Sequence, residues 1–315
     1  MDVKQLKAVV TVAEVGSVTR AAELLHLVQP AVTRQIRTLE QELGVPLFER
    51  TRLGMRPTRA GSIMVDRARR ALDELERARI EVRPEPGAVT GIVTVGLLES
   101  TTDLLAEPLV SALAEEHPGI ELRLMTGYSG HLQRWLDEGD LDLTLLYNLD
   151  GTPSLNTRPL VRERLWVVAP PAAGLTADHP VTFAEAAGHP LVLPASGHAL
   201  RVLIDGAAAR AQADMTVAVR TNSLRLQKQL VRAGHGWTVL PGVGIAEDVA
   251  NGTLSAAPLT GPEVWRSVVL ATPRARRTPP AVEVVVRELV RQTGAVVHGD
   301  GWPSAEPQWE TDDAA

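Results

Sequence analysis

The chain has 315 residues, enough for two or three units each with its own core. Its 44% hydrophobic and 22% charged residues describe an ordinary soluble protein, and the absence of cysteine excludes disulfide stapling, zinc–thiolate sites and thiol redox sensing. The net charge of −6 is unevenly spread: residues 1–60 carry nine Lys and Arg against six acids, a balance of +3, so the remainder carries −9. One basic head on an acidic body suits a chain with one face that meets a polyanion. The start, Met1-Asp2-Val3-Lys4, lacks a secretory pattern and no apolar run reaches membrane-spanning length. The expected location is cytoplasmic.

Residues 16–50 hold a short Ala-rich helix, a break, a second helix, a tight turn and the start of a basic wing. That order of parts inserts a helix into the major groove of double-stranded DNA. Ser17 and Thr19 are both helix-starting residues. Ala21, Ala22, Leu24 and Leu25 form a compact inner face that a second helix can cross closely. Pro30 suits a first helical position, where its missing N–H costs nothing. In the second helix Val32, Ile36, Leu39 and Leu43 step by three and four and mark the buried stripe.

Gln29, Thr33, Arg34 and Arg37 fall off that stripe. Gln and Arg make paired hydrogen bonds to adenine and guanine edges, and Thr touches a thymine methyl or a phosphate. The alternative is a surface helix of a small bundle, whose polar residues only meet water. Residues 46–59 form the wing, with Arg50, Arg52 and Arg56 placed to reach phosphate or the minor groove.

Residues 58–83 read as one long helix with Thr58 at its cap. Val65, Ala68, Leu72, Leu75 and Val82 step by three or four along it, interrupted by Arg79. The spacing suits a two-helix dimer seam, against the alternative of a helix packed on its own domain. Arg83-Pro84-Glu85-Pro86-Gly87 then ends the helix and reads as a hinge, so the dimerisation helix and hinge occupy 58–87.

From residue 91 to about 294 strands and helices alternate. Strands are predicted at 92–95, 121–125, 141–147, 165–170, 191–193, 215–219, 237–240 and 264–271, with helices at 104–116, 132–138, 200–211 and 224–233. Such alternation predicts a mainly parallel α/β sheet with helices on its faces. The tail from 295 to 315 is acidic and is expected to be disordered, with Trp302 and Trp309 available for a docking contact.

Residues 1–60 resemble the winged helix-turn-helix of LysR-type transcriptional regulators. The pattern comprises Leu6, Ala13, Gly16, Ser17, Ala21, Ala22, Leu24, Gln29, Pro30, Ala31, Arg34, Ile36, Leu39, Glu40, Leu43, Gly44, Leu47, Phe48, Arg50, Thr58 and Gly61. A weaker match continues to about residue 293. The chain departs from the family at Val28, where Ser is common, so the second helix loses a side-chain cap. With no cysteine, the peroxide-sensing branch is excluded.

The resemblance implies DNA-binding residues Gln29, Pro30, Thr33, Arg34, Arg37, Arg50 and Arg52 on an interrupted palindrome. It also implies a dimer through the long helix, or a tetramer built as a dimer of dimers, and regulation through RNA polymerase. It further implies a two-lobed regulatory domain at 88–294 resembling periplasmic binding proteins. Lobe I would hold about 90–162 plus 269–293 and lobe II about 163–268, with crossings near 161–164 and 265–268.

Ligands of open α/β sheets bind beyond strand ends, at helix N-termini. Four polar segments occupy such places. Glu99-Ser100-Thr101-Thr102 and Thr126-Gly127-Tyr128-Ser129-Gly130 would line one lobe. Pro194-Ala195-Ser196-Gly197-His198 and Thr221-Asn222-Ser223, with Thr238, would line the other. The effector candidates are therefore Ser100, Thr101, Thr126, Ser129, Ser196, His198, Asn222 and Thr238, against the alternative that they are ordinary helix caps. Glu99 repels a carboxylate unless it turns away, which favours a polar or cationic effector, or none. Segments such as Gly139-Asp140-Leu141-Asp142-Leu143 and Thr238-Val239-Leu240-Pro241 resemble the nitrogen assimilation control subgroup, which implies nitrogen or amino-acid metabolism genes.

An enzyme is not expected. Gly127-Tyr128-Ser129-Gly130-His131 approaches a nucleophile elbow, but position 131 would have to be Gly. Asp140 and Asp142 lack a nearby His partner, the eight histidines show no ligand spacing, and there is no phosphate-binding Gly-rich loop. No metal or cofactor is expected. A solute-binding or sensor protein would explain residues 91–294 but needs an export signal and leaves residues 1–83 idle.

Overall fold

Helix caps set the boundaries of the first elements. In α1 (Val3–Val15) the Asp2 carboxylate accepts the Gln5 N–H at 2.9 Å, and the Gln5 side-chain oxygen accepts the Asp2 N–H at 2.7 Å. Two otherwise orphan donors are thereby satisfied. The Ser17 hydroxyl does the same for Arg20 at the start of α2 (Val18–Leu24). α3 (Gln29–Leu43) begins after Val28 with no side-chain cap and with Pro30 in its first turn. The hairpin of β1 (Phe48–Thr51) and β2 (Gly54–Pro57) is the wing. α4 (Arg59–Val82) follows, its Gly61 N–H donating to Thr58 Oγ1, while the Thr58 hydroxyl donates to Pro46 O at 2.8 Å. A Cβ on Gly61 would lie 1.8 Å from Leu47 O, so only glycine permits this approach of helix to wing.

The structure, a computed structural model, describes residues 1–52, 54–82, 89–147, 152–275, 277–299, 301–302 and 304–308. The predicted hinge at 83–87 and Trp309 lie outside the described residues. Two units separate along the chain, Met1–Pro84 and Glu85–Ala315. In the first, Val9, Val12, Ala21, Val32, Leu39 and Leu47 close one core. Leu24 and Leu43, expected on the buried faces, are instead exposed, each being the last residue of its helix.

The second unit runs β3 (Gly91–Leu98), α5 (Thr102–Glu116), β4 (Ile120–Gly127), α6 (Ser129–Glu138), β5 (Leu143–Tyr147) and β6 (Leu155–Ala169). It continues through β7 (Val181–Thr182), α7 (Phe183–Ala187), β8 (Leu191–Pro194), α8 (Ala199–Ala211), β9 (Val217–Thr221) and α9 (Leu224–Arg232). Then come β10 (Thr238–Pro241), α10 (Ala246–Ala250), β11 (Ser255–Thr260), β12 (Trp265–Pro273), α11 (Pro280–His298) and β13 (Ala305–Pro307).

The sheet is mixed rather than mainly parallel. β4, β3 and β5 pair in parallel, and so do β8 and β9. β12 is antiparallel to both β5 and β6, and β10 and β11 are antiparallel to β6. The cause is the double crossing: the chain leaves one lobe along the 15-residue β6 and returns along β12, so the two strands must oppose each other.

Two cores result. The first gathers Val95, Leu105, Leu145, Val161, Val268 and Leu289; the second gathers Leu165, Val192, Ile204, Val231, Val239 and Val264. The change of core falls between Val161 and Leu165 on β6 and between Val264 and Val268 on β12. Each fully buried Leu or Val side chain contributes about 1.5–3 kcal/mol, so each lobe has its own source of stability.

The tail departs from expectation. α11 runs to His298, Trp302 is buried in the first core, and β13 adds antiparallel to β6 at Val161–Glu163. The large apolar surface that Trp302 buries in the first core favours this arrangement of the described residues.

Candidate functional site

α3 turns Val32, Ile36 and Leu39 inward, which leaves Gln29, Pro30, Arg34 and Arg37 exposed on the opposite side. Thr33 is half-buried and its hydroxyl donates to Gln29 O at 3.1 Å. Arg50, Arg52 and Arg56 are exposed on the wing. Glu40 on α3 accepts the Leu47 and Phe48 N–H groups at 2.7 and 3.3 Å, so the wing is anchored to the same helix. Guanidinium groups and one amide therefore stand on a rigid head whose aliphatic side is sealed.

On α4 the stripe divides. Val65 and Ala68 are buried within the first unit, whereas Leu75 is 45% and Val82 79% exposed. Leu75, Ala78, Arg79 and Val82 line an open groove.

In the second unit the two lobes meet over a cleft walled by Glu99, Ser100, Tyr128 and Tyr147 on one side and Pro194, His198, Leu224 and Gln227 on the other. The remaining space is about 20 Å³, room for roughly one water. Of the eight effector candidates, Ser100 and His198 reach this wall. Thr101 is buried with its hydroxyl donating to Leu98 O, Ser129 Oγ accepts the Tyr147 N–H, and Thr238 is fully enclosed, accepting from Gln227 Nε2. Thr126, Ser196 and Asn222 are exposed and do not line the cleft.

Beneath the cleft lies a buried charge pair that the sequence reading did not single out. Arg266 Nη2 lies 2.6 Å from Glu163 Oε2, both residues being fully enclosed. Arg266 also donates to Ser100 Oγ at 3.1 Å and sits 4.4 Å over the Tyr147 ring. Glu163 Oε1 accepts the Val243 N–H at 2.8 Å and the Ser304 hydroxyl at 2.7 Å. Burial opposes the arginine charge, but Glu163 and then Tyr147 outweigh it and hold the guanidinium pKa above its usual value. Strand alternation could have revealed the pair: Glu163 shares the inward face with Val161 and Leu165, and Arg266 shares one with Val268.

His198 is the N-cap of α8, its Nδ1 accepting the Leu200 N–H at 3.0 Å. Burial, then Arg266 and His131, push its pKa down to about 4, so the ring is neutral at pH 7. With Nδ1 accepting, the proton sits on Nε2, which is buried without a partner. Tyr128 packs edge-on against His198 at 4.2 Å, and burial, then Glu99, raise its phenol pKa well above the usual range.

A winged helix-turn-helix on a long helix, followed by a two-lobed α/β unit, defines a DNA-binding regulator with a separate regulatory module. Residues 3–62 match the bacterial regulatory helix-turn-helix protein, lysR family, and residues 86–294 match the LysR substrate binding domain. The chain belongs to the LysR family of transcriptional regulators and is not an enzyme. It is 30% identical to the HTH-type transcriptional regulator BbuR of Bordetella bronchiseptica, over 96% of this chain and 93% of that one. The DNA-binding transcriptional dual regulator OxyR of Escherichia coli is also 30% identical, over 86% of this chain and 88% of its own. The nitrogen assimilation regulatory protein Nac of Escherichia coli is 30% identical as well, over 92% and 94%. Among solved structures, full-length CbnR complexed with its target DNA superposes with a TM-score of 0.71 at 22% identity, covering 93% of this chain and all of that one. Oligomerisation is typical of LysR structures. No helix among the described residues is long and apolar enough to cross a membrane.

Proposed function

We propose that this regulator reads an interrupted palindrome as a homo-oligomer. Gln29, Thr33, Arg34 and Arg37 on α3 meet base edges, Pro30 shapes the first turn, and Arg50 and Arg52 on the wing hold the phosphate backbone. The observation that carries this reading is the exposed polar face of α3 on the same rigid head as the exposed wing arginines. The apolar groove of Leu75, Ala78 and Val82 supports pairing of α4 with a second copy. Two-fold symmetry then demands two half-sites spaced by whole turns of the duplex. Selection of bound duplexes from a random pool tests this: two dyad-related half-sites are expected, and a single site without a dyad overturns it.

The interlobe cleft is the regulatory site in this reading, and RNA polymerase is the partner through which transcription is altered in the cytoplasm. The cleft takes a small polar molecule or works without one, and the space left between its side chains, about 20 Å³, favours the second case. Nitrogen or amino-acid metabolism is the proposed target, supported by the segment resemblances and by Nac. OxyR is equally similar, but a chain without cysteine has no thiol with which to sense peroxide. Comparing transcripts with and without the protein under nitrogen limitation and under peroxide tests the assignment. A response confined to peroxide overturns it.

A further inference from the structure

A helix N-terminus offers free backbone donors to an anion, and that of α9 borders the cleft at Leu224. Here that place is taken. Glu99, the first residue after β3 in lobe I, reaches across the cleft and its Oε2 accepts the Leu224 N–H at 3.2 Å in lobe II. Ser223 Oγ accepts the Leu226 N–H from the same helix, so two of the first three N–H groups of α9 are met by side chains. Tyr128 lines the same wall as Glu99, where burial and then the Glu99 charge hold its phenol pKa above the usual range.

Two buried nitrogens near the cleft have no hydrogen-bond partner. Arg266, fully buried beneath the cleft, stacks on Tyr147 and donates to Ser100, both on one wall, and its Nη1 has no partner. His198 Nε2 is a second buried nitrogen without one.

We propose that Glu99 is the cleft's own carboxylate ligand. It fills the anion position at α9 and latches the two lobes together, so a free carboxylate finds that position occupied. The latch rests on the reading of the cleft as the regulatory site and specifies its chemistry. A small carboxylate binds only when Glu99 is removed, and regulation in the intact protein does not depend on one.

Chemical rescue in the full chain tests it. Glu99→Ala deletes the equivalent of acetate, so the variant should lose thermal stability. It should regain at least half of the lost Tm shift, saturably, in sodium acetate but not in sodium chloride of matched ionic strength. Wild type should show no acetate-specific shift. Equal acetate and chloride responses in Glu99→Ala, or an acetate response of equal size in wild type, overturn the proposal.

Should Glu99→Ala fail to fold, Glu99→Gln decides. It keeps the side-chain shape and removes the charge that strengthens the Leu224 bond. Hydrogen exchange should then accelerate in the peptide spanning 221–230, and unchanged exchange overturns the latch. If acetate restores Tm in Glu99→Ala while DNA binding never responds to Glu99 substitution or to acetate, the latch stands and the regulatory reading of the cleft fails.

Discussion

Glu163 and Arg266 stand directly opposite each other on β6 and β12, at the one level where both strands pass from one lobe to the other. Removing one member leaves an uncompensated buried charge. Glu163→Leu is expected to cost about 3–5 kcal/mol in urea unfolding, whereas the double change Glu163→Leu with Arg266→Leu costs less than the single one. A double variant as unstable as the sum of its parts would show that the pair is not the coupling element.

His198 makes stability depend on pH. Its folded pKa of about 4 lies below its ordinary 6.5, so between those values the unfolded chain binds a proton that the folded chain refuses. Its contribution is fully present above about pH 6.5, amounts to about 3 kcal/mol at most, and is lost as pH falls through about 4. His198→Asn replaces the Nδ1 acceptor with a capping oxygen and removes the titration. Its stability should fall less steeply from pH 6.5 to 4 than that of wild type. Parallel curves would assign the acid sensitivity elsewhere.

The C-terminal strand is held over the same crossing. Trp302 is buried in the first core, Ser304 completes the Glu163 carboxylate, and Arg162 pairs with Glu306. Trp302→Ala is expected to cost about 3–5 kcal/mol by chemical denaturation. A loss below 1 kcal/mol would mean that the segment merely rests on the crossing strands.

Arg34→Ala should weaken specific DNA binding by about 1–3 kcal/mol with a smaller loss on random duplex, if Arg34 reads a base. Equal losses on both would make it a phosphate contact.

Replacing Leu72 and Leu75 with Glu places charges on the apolar stripe of α4, one of them in its open groove. The mass by light scattering should fall to that of a monomer or a smaller assembly. An unchanged mass would place the oligomer contact elsewhere.

Much of the fold was legible because periodicity and capping are local. The stripe of Val32, Ile36 and Leu39, the caps at Ser17 and Thr58, and the uncapped start at Val28 all follow from short-range geometry. Leu24 and Leu43 were misread because a stripe does not reveal where its helix stops meeting a neighbour. The candidate site was legible only in part. Ser100 and His198 stand at the cleft, but Thr101, Ser129 and Thr238 spend their hydroxyls on neighbouring groups.

The chain's local order of helix, turn and wing, its basic head and its lack of thiols determined by themselves what kind of molecule this is and which chemistry it lacks. Tertiary structure decided what fills the cleft. Glu99 reaches a backbone amide 125 positions away, and Arg266 meets a carboxylate 103 positions away. Such pairings arise from how two lobes close on a double crossing, and composition and periodicity carry no record of that distance.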